Sequence, residues 1–252
     1  MERKKYLLIV FFGILLVPSV GQSHKTIYHA YINGDMVKWK SAMDSLDAAR
    51  PKSNAEKLDV INYQYGYIAW CIDHNKKKEA VHYMEKAEEQ IGYLEKQKYQ
   101  VSMLLAYKAA FIGYKIGLSP HKAPFIGPES VTYAEKSVSA DPMNALGHVQ
   151  LGNIAFFTPR IFGGSKEDAM QHYVRALRLM ESQPGETDRN WNYLNLLVTI
   201  IQTCMELEEF HAARDYCQKT LTVEPRFDWV RNQLYPQVLK KLNHYGLEIH
   251  RF

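Results

Sequence analysis

The chain has 252 residues, a formal charge of +4 at pH 7, 46% hydrophobic and 23% charged residues, and three cysteines. Such a chain can bury a sizeable core, as one large domain or as a repeat array, and it is too apolar for a disordered acidic or basic tail. Three sparse cysteines exclude a disulfide framework, and no C-x-x-C pair suggests zinc or thiol redox chemistry.

Arg3, Lys4 and Lys5 precede an apolar run from Tyr6 to Val17, followed by Pro18-Ser19-Val20-Gly21. This is the layout of a secretory signal peptide, with small Ser19 and Gly21 placed for cleavage after Gly21. The run falls short of the roughly twenty apolar residues that span a bilayer. The expectation is therefore a leader at 1–21, a single helical domain at 22–252, no membrane span after cleavage, and a periplasmic or secreted protein. Losing the leader removes three cations and one anion and leaves a charge of +2. A nearly neutral chain offers no electrostatic case for nucleic acid.

In chain order, helical periodicity dominates and strand signals are scarce. A first pair is expected at His24–Tyr31 and Met36–Ala48, joined by the turn Asn33-Gly34-Asp35, with Trp39 in the second helix. A helix carrying Asn62 and Tyr65 follows, then the polar turn Asp73-His74-Asn75-Lys76 and a stripe of Ala80, Met84 and Ala87. The third pair carries Tyr107 and Tyr114 on its first helix, then the insertion Pro124-Phe125-Ile126-Gly127-Pro128, then a helix from Ser130 ending at Asp141-Pro142. Leu151-Gly152 opens the way for close helix contact in the fourth pair, whose insertion is Pro159-Arg160-Ile161-Phe162-Gly163-Gly164. Its second helix repeats apolar residues at Ala169, Tyr173, Ala176, Leu177 and Met180. A polar loop, Glu181–Asn190, precedes the fifth pair, whose helices carry Asn195 and the stripe Ala213, Cys217, Thr220, Leu221. Val230–His244, with Leu234, Val238 and Leu242 on one stripe, reads as a capping helix.

Ala80, Ser130, Ala169 and Ala213 occupy equivalent positions at intervals of 50, 39 and 44 residues, against about 34 for the tetratricopeptide (TPR) repeat. The small-residue pattern, the Leu-Gly step, Phe210 before a second helix and the closing prolines resemble TPR units. The resemblance implies an all-α, right-handed TPR-like solenoid of antiparallel helix pairs, about four and a half plus the cap. The inserted segments at Phe125 and at Phe162, Gly163 and Gly164 should lie side by side on one edge. Tyr31 to Trp39, Tyr65 to Cys71, Gly152-Asn153 and Phe162-Gly-Gly-Ser165 also resemble exported TPR proteins of Bacteroidetes. Phe-Gly-Gly before a TPR helix is similar to periplasmic TPR subunits of TRAP-type transporters. Neither resemblance implies an enzymatic activity.

The residues offer no catalytic grouping: there is no H-E-x-x-H, G-x-S-x-G, P-loop or EF-hand string. His82, His172 and His211 lie among charged neighbours, as solvated surface residues do. No cofactor and no metal are expected. Gly163-Gly164-Ser165 resembles a phosphate cradle, but Glu167 and Asp168 would repel an anion, so a turn with Ser165 as N-cap is the stronger reading. Cys204 and Cys217 fall on consecutive helices and could bridge if their geometry allowed it.

In a TPR array the first helix of each pair faces the concave groove. Aligned so, the groove positions are Asn62, Tyr65, Tyr107, Tyr114, Val149, Asn153, Phe156, Asn195, Val198 and Gln202. Amides and rings suit an extended peptide, so a peptide or protein partner is the leading expectation. The alternative is a small-molecule-binding subunit of a transporter, which needs an enclosed pocket with the inserted loops closing over it. A third is an assembly factor that uses its convex face.

Overall fold

The computed structural model describes residues 20–49 and 52–249; the expected leader lies outside them except for Val20 and Gly21. The described residues form eleven α-helices and no strand: α1 (Val20–Ile32), α2 (Met36–Ala48), α3 (Asn54–Asp73), α4 (Lys77–Lys96), α5 (Val101–Leu118), α6 (Ala123–Ala140), α7 (Ala145–Phe157), α8 (Lys166–Ser182), α9 (Trp191–Glu206), α10 (Phe210–Val223) and α11 (Tyr235–Ile249). Consecutive helices pack as pairs, α1 with α2 through α9 with α10, and the pairs stack into an all-α solenoid.

Local chemistry sets where the helices begin. Asp35, Ser53, Asn144, Ser165 and Asn190 each accept a backbone N–H of the helix that follows, and Ser53 with Glu56 forms a reciprocal capping box. Each cap contributes about 1 kcal/mol. The first helices of pairs one, two and five end in the same turn. Gly34, Asn75 and Glu208 adopt left-handed backbone, and the next residue donates back to Ala30, Cys71 and Cys204 at 2.8, 2.7 and 2.8 Å. That six-to-one bond closes the last turn of a helix. Pairs three and four replace it with the insertions.

The first insertion is not a loop. After a 3-10 turn at Pro120–Lys122, Pro124 to Pro128 already belong to α6, with Pro128 inside the helix. Proline is tolerated in a first helical turn because that N–H has no intrahelical partner; at Pro128 one helical bond is given up. The second insertion is a loop around a 3-10 turn at Arg160–Phe162. The expected C-terminal helix is split into a π-helical turn, Val230–Leu234, and α11. Val230, Leu234 and Val238 are buried against the last pair, as a cap requires.

The repeat positions Ala80, Ser130, Ala169 and Ala213 are all buried. Gly152 shows why small residues sit between paired helices: a Cβ there would lie 2.5 Å from the Tyr173 ring. Cys71, Cys204 and Cys217 are free, buried thiols, so the possible Cys204–Cys217 bridge is not formed. Burial pushes both Cys204 and Cys217 up to about 12, which keeps them protonated and inert.

The array closes on itself. Helix α1 touches α9, and Tyr31 Oη donates to Asn195 Oδ1 at 3.1 Å while its ring lies 5.2 Å from Phe227. Trp39 of the first pair meets Trp191 of the fifth edge to face at 5.0 Å. Asn192 Nδ2 donates to Asn62 Oδ1 at 3.0 Å. Two apolar cores result, and α1 feeds both, with Ile27 and Ala30 in one and Tyr28 and Ile32 in the other. Helix α5 is long and apolar enough to cross a membrane by length and composition, but its Leu104, Tyr107 and Phe111 are core residues.

Candidate functional site

First helices run parallel to one another, so their N-terminal halves gather at one end of the solenoid and their C-terminal halves at the other. At the first end lies a cleft of about 810 Å³, within the range of about 300–1,000 Å³ typical of small-ligand sites. Its lining comes from the starts of α1, α3, α5, α7 and α9 and from the loop before α9.

Rings form the base. Tyr65 stacks on Tyr114 with centroids 5.5 Å apart, meets Tyr107 edge-on at 5.8 Å and lies 6.2 Å from Trp191. A chain of amides holds this base: Asn153 donates to Gln150 at 3.2 Å, Gln150 to the Tyr65 hydroxyl at 3.4 Å, and Asn153 Oδ1 accepts from Tyr173 at 2.9 Å. Burial pushes the Tyr65, Tyr107 and Tyr114 phenols above their ordinary values, so the base stays uncharged. The buried Trp191 indole N–H has no hydrogen-bond partner among the described residues, a cost a native fold rarely leaves uncompensated.

The walls and mouth are polar. Asn62, Asn192 and Asn195 line one side, and charges of both signs surround the opening, among them Lys25, Asp59, Asp141, Glu186 and Arg189. His24 Nε2 lies 3.3 Å from Asp59 Oδ2, and the Tyr63 hydroxyl contacts His24 Nδ1. The Asp59 bond raises the imidazole above its usual value against an opposing effect of burial. Burial pushes the Tyr63 phenol upward too, the opposite of an activated nucleophile. Among the described residues no three His, Cys, Asp or Glu side chains are grouped to hold a metal ion. The cleft offers ring faces and amide groups as contacts.

Of the residues expected in the groove, Asn62, Tyr65, Tyr107, Val149 and Asn195 line the cleft. Tyr114 and Asn153 lie beneath it, Tyr114 donating to the Tyr65 carbonyl at 3.2 Å. Val198 is buried in the C-terminal core, Phe156 packs against that core, and Gln202 is solvent-exposed. Sequence reasoning missed His24, Asp59, Tyr63 and Trp191. The available signal was the polar stretch Glu181–Asn190, whose residues from Gln183 onward wall the mouth.

The edge residues lie elsewhere. Phe125 and Phe162 are 84% and 74% exposed at the first-to-second-helix end, away from the cleft, so these segments do not close over it. Gly163 has φ of +91°, and a Cβ on Gly164 would fall 1.7 Å from the Thr158 carbonyl oxygen. Ser165 Oγ accepts the Asp168 N–H at 3.0 Å, which makes Gly163-Gly164-Ser165 a turn and cap.

A solenoid of helix pairs closed around a ring-floored cleft defines an all-α helical-repeat fold. Among solved structures the chain is similar to the HusA haemophore from Porphyromonas gingivalis, with a TM-score of 0.60 and 13% identity over 76% of this chain and 96% of that one. No protein-family model matches the sequence, and the search of curated proteins gave no match.

Proposed function

We propose that this TPR-like chain is a non-enzymatic binding protein of the cell envelope, exported by residues 1–21, whose cleft holds a compact ligand with a flat apolar body and polar edges. One observation carries the reading: the contact of α1 with α9 turns an open groove into a bounded cleft with an aromatic base and amide walls. Rings stack on a flat apolar face at small entropic cost, and amides meet polar edges. The similar structure is that of a haemophore, which makes haem the first ligand to try. A transporter-linked solute receptor and a free ligand carrier are both compatible with such a site.

Titration of the protein with haemin, followed by tryptophan fluorescence and the haem absorption band, should give saturable quenching at one equivalent. Met103→Lys, which puts a cation on the cleft wall, should weaken binding at least tenfold while Gln202→Ala leaves it unchanged. If haemin and metal-free porphyrin both leave the fluorescence unaltered, the flat-ligand reading fails. A peptide segment is the second reading, favoured by the paired amides Asn62 and Asn192 at the wall. Saturable binding of unstructured peptides, blocked by Met103→Lys, would support it.

A further inference from the structure

We infer that Met143 is an oxidation site that sets the affinity of the cleft: hydrogen peroxide converts its thioether to the sulfoxide, and the oxidised wall no longer suits an apolar ligand face. The inference rests on the flat-ligand reading given above. Three methionines, Met103, Met143 and Met180, line this one cleft. They come from three elements: the first turn of α5, the turn between α6 and α7, and the last turn of α8. Asn144 Nδ2 donates to Ser102 Oγ at 2.7 Å, and Gln183 Nε2 donates to the Met143 carbonyl at 3.3 Å, so neighbours of the three methionines tie these elements together. Thioethers form a soft, adaptable apolar wall beside the aromatic base.

Met143 is the outermost of the three. It is 47% exposed, and no other methionine stands among the exposed large apolar residues described. Met180 is buried and Met103 half-buried. The main chain of Met143 is held on both sides: its N–H donates to Asp141 Oδ1 at 2.9 Å, and its carbonyl accepts from Gln183. Its thioether is thus kept at the rim, open to solvent and part of the cleft wall. Thiols are the usual first target of peroxide, but Cys71, Cys204 and Cys217 are all buried, and burial keeps them protonated. The accessible sulfur of this protein is therefore a thioether, and it lies at the binding site.

The chemistry needs no other reactant. A lone pair of the Met143 sulfur attacks one peroxide oxygen, and the O–O bond breaks as the S–O bond forms. The departing hydroxide takes the proton left on the transferred oxygen and leaves as water. Sulfur is oxidised and peroxide is reduced. The product is a polar, chiral side chain in place of a flexible apolar one. Its oxygen is a strong acceptor that draws water, and an apolar ligand face lying on that wall must strip the water away.

Limited peroxide treatment tests the inference, stopped with catalase and followed by peptide mass spectrometry and by haemin titration. Met143 should gain an oxygen before any other methionine of residues 22–252, and affinity for haemin should fall by about tenfold in step with it. Methionine sulfoxide reductases should restore the affinity. Met143→Leu, whatever its own affinity, should bind equally before and after treatment, and Met143→Gln should bind weakly without peroxide. Circular dichroism should match the untreated wild type throughout, since the side chain is exposed. Earlier oxidation of another methionine, or an oxidised Met143 with unchanged affinity, would overturn the inference. Untreated protein that binds neither haemin nor metal-free porphyrin would defeat the flat-ligand reading and the affinity switch with it. The peptide map would then decide by itself whether Met143 is the oxidation site.

Discussion

The Tyr28 hydroxyl donates to Glu224 Oε2 at 3.0 Å, across a sequence separation of 196 residues. Both side chains are buried, and the bond ties the first helix to the segment that follows the last pair. Arg226 also grips Glu224, at 3.1 Å, and its hydrogen bonds hold the carboxyl below the usual glutamate value, with Tyr28 adding to the effect. Tyr28→Phe should cost about 1–2 kcal/mol, the range for leaving a buried acceptor short of a donor, as read from urea unfolding. A depressed carboxyl contributes stability above its unfolded value of about 4.3, and loses it as pH falls through the lower folded value. The difference between wild type and Tyr28→Phe should therefore shrink in acid.

His24 gives dependence of the opposite sign. Its imidazole is raised by the bond to Asp59, so its contribution is complete below the unfolded value of about 6.5 and fades as pH rises through the raised folded value. His24→Gln should flatten the melting temperature against pH above about 6.5 and leave the acid limb alone. An unchanged profile would show that the His24–Asp59 contact at the cleft mouth does not contribute to stability.

Two glycines mark where the helices approach most closely. A Cβ at Gly66 would lie 2.7 Å from the Trp191 ring and 2.9 Å from Trp39, at the seam between the first and fifth pairs. At Gly152 it would meet Tyr173 at 2.5 Å. Each glycine-to-alanine change should destabilise by about 1–3 kcal/mol, as overpacking does. Gly66→Ala should also weaken ligand binding, because Trp191 is part of the cleft; Gly152→Ala should affect stability more than affinity.

The thiols should be silent in the native state. Cys71, pushed up to about 11, and Cys204 and Cys217, each pushed up to about 12, are buried and unbridged. A thiol-reactive dye at pH 8 should label none of them within the time that labels all three in denaturant. Reducing agent should leave the melting temperature unchanged; a reduction-sensitive melt would show a bridge that this geometry lacks.

The pairing of helices was legible in the sequence because small residues recur at fixed places and each pair carries its own stripe. Ala80, Ala169 and Ala213 are fully buried where that pattern puts them, and Ser165 caps as its acidic neighbours suggested. The TPR template also directed attention to the first helices, and half of the groove residues it named line the cleft. What local pattern could not carry was closure. Tyr31 and Asn195 are 164 residues apart, and no periodicity within a pair announces that they meet. That contact separates Asn62 and Tyr65, which face the cleft, from Val198, which is buried. The Pro124–Pro128 segment misleads for another reason: proline reads as a breaker, yet at a helix start it fits.

Contact between α1 and α9 also limits how this chain can vary. In an open stack each unit touches only its neighbours, so units can be gained or lost at modest cost and melting can begin at either end. Here the first and last pairs are neighbours too. Deleting a pair would pull Trp39 away from Trp191, and inserting one would wedge them apart. The final third of the polypeptide must be present before α1 has anything to rest against on its second side, so truncation from either terminus should loosen both. Length in this fold is set by geometry, as the number of staves is set in a barrel.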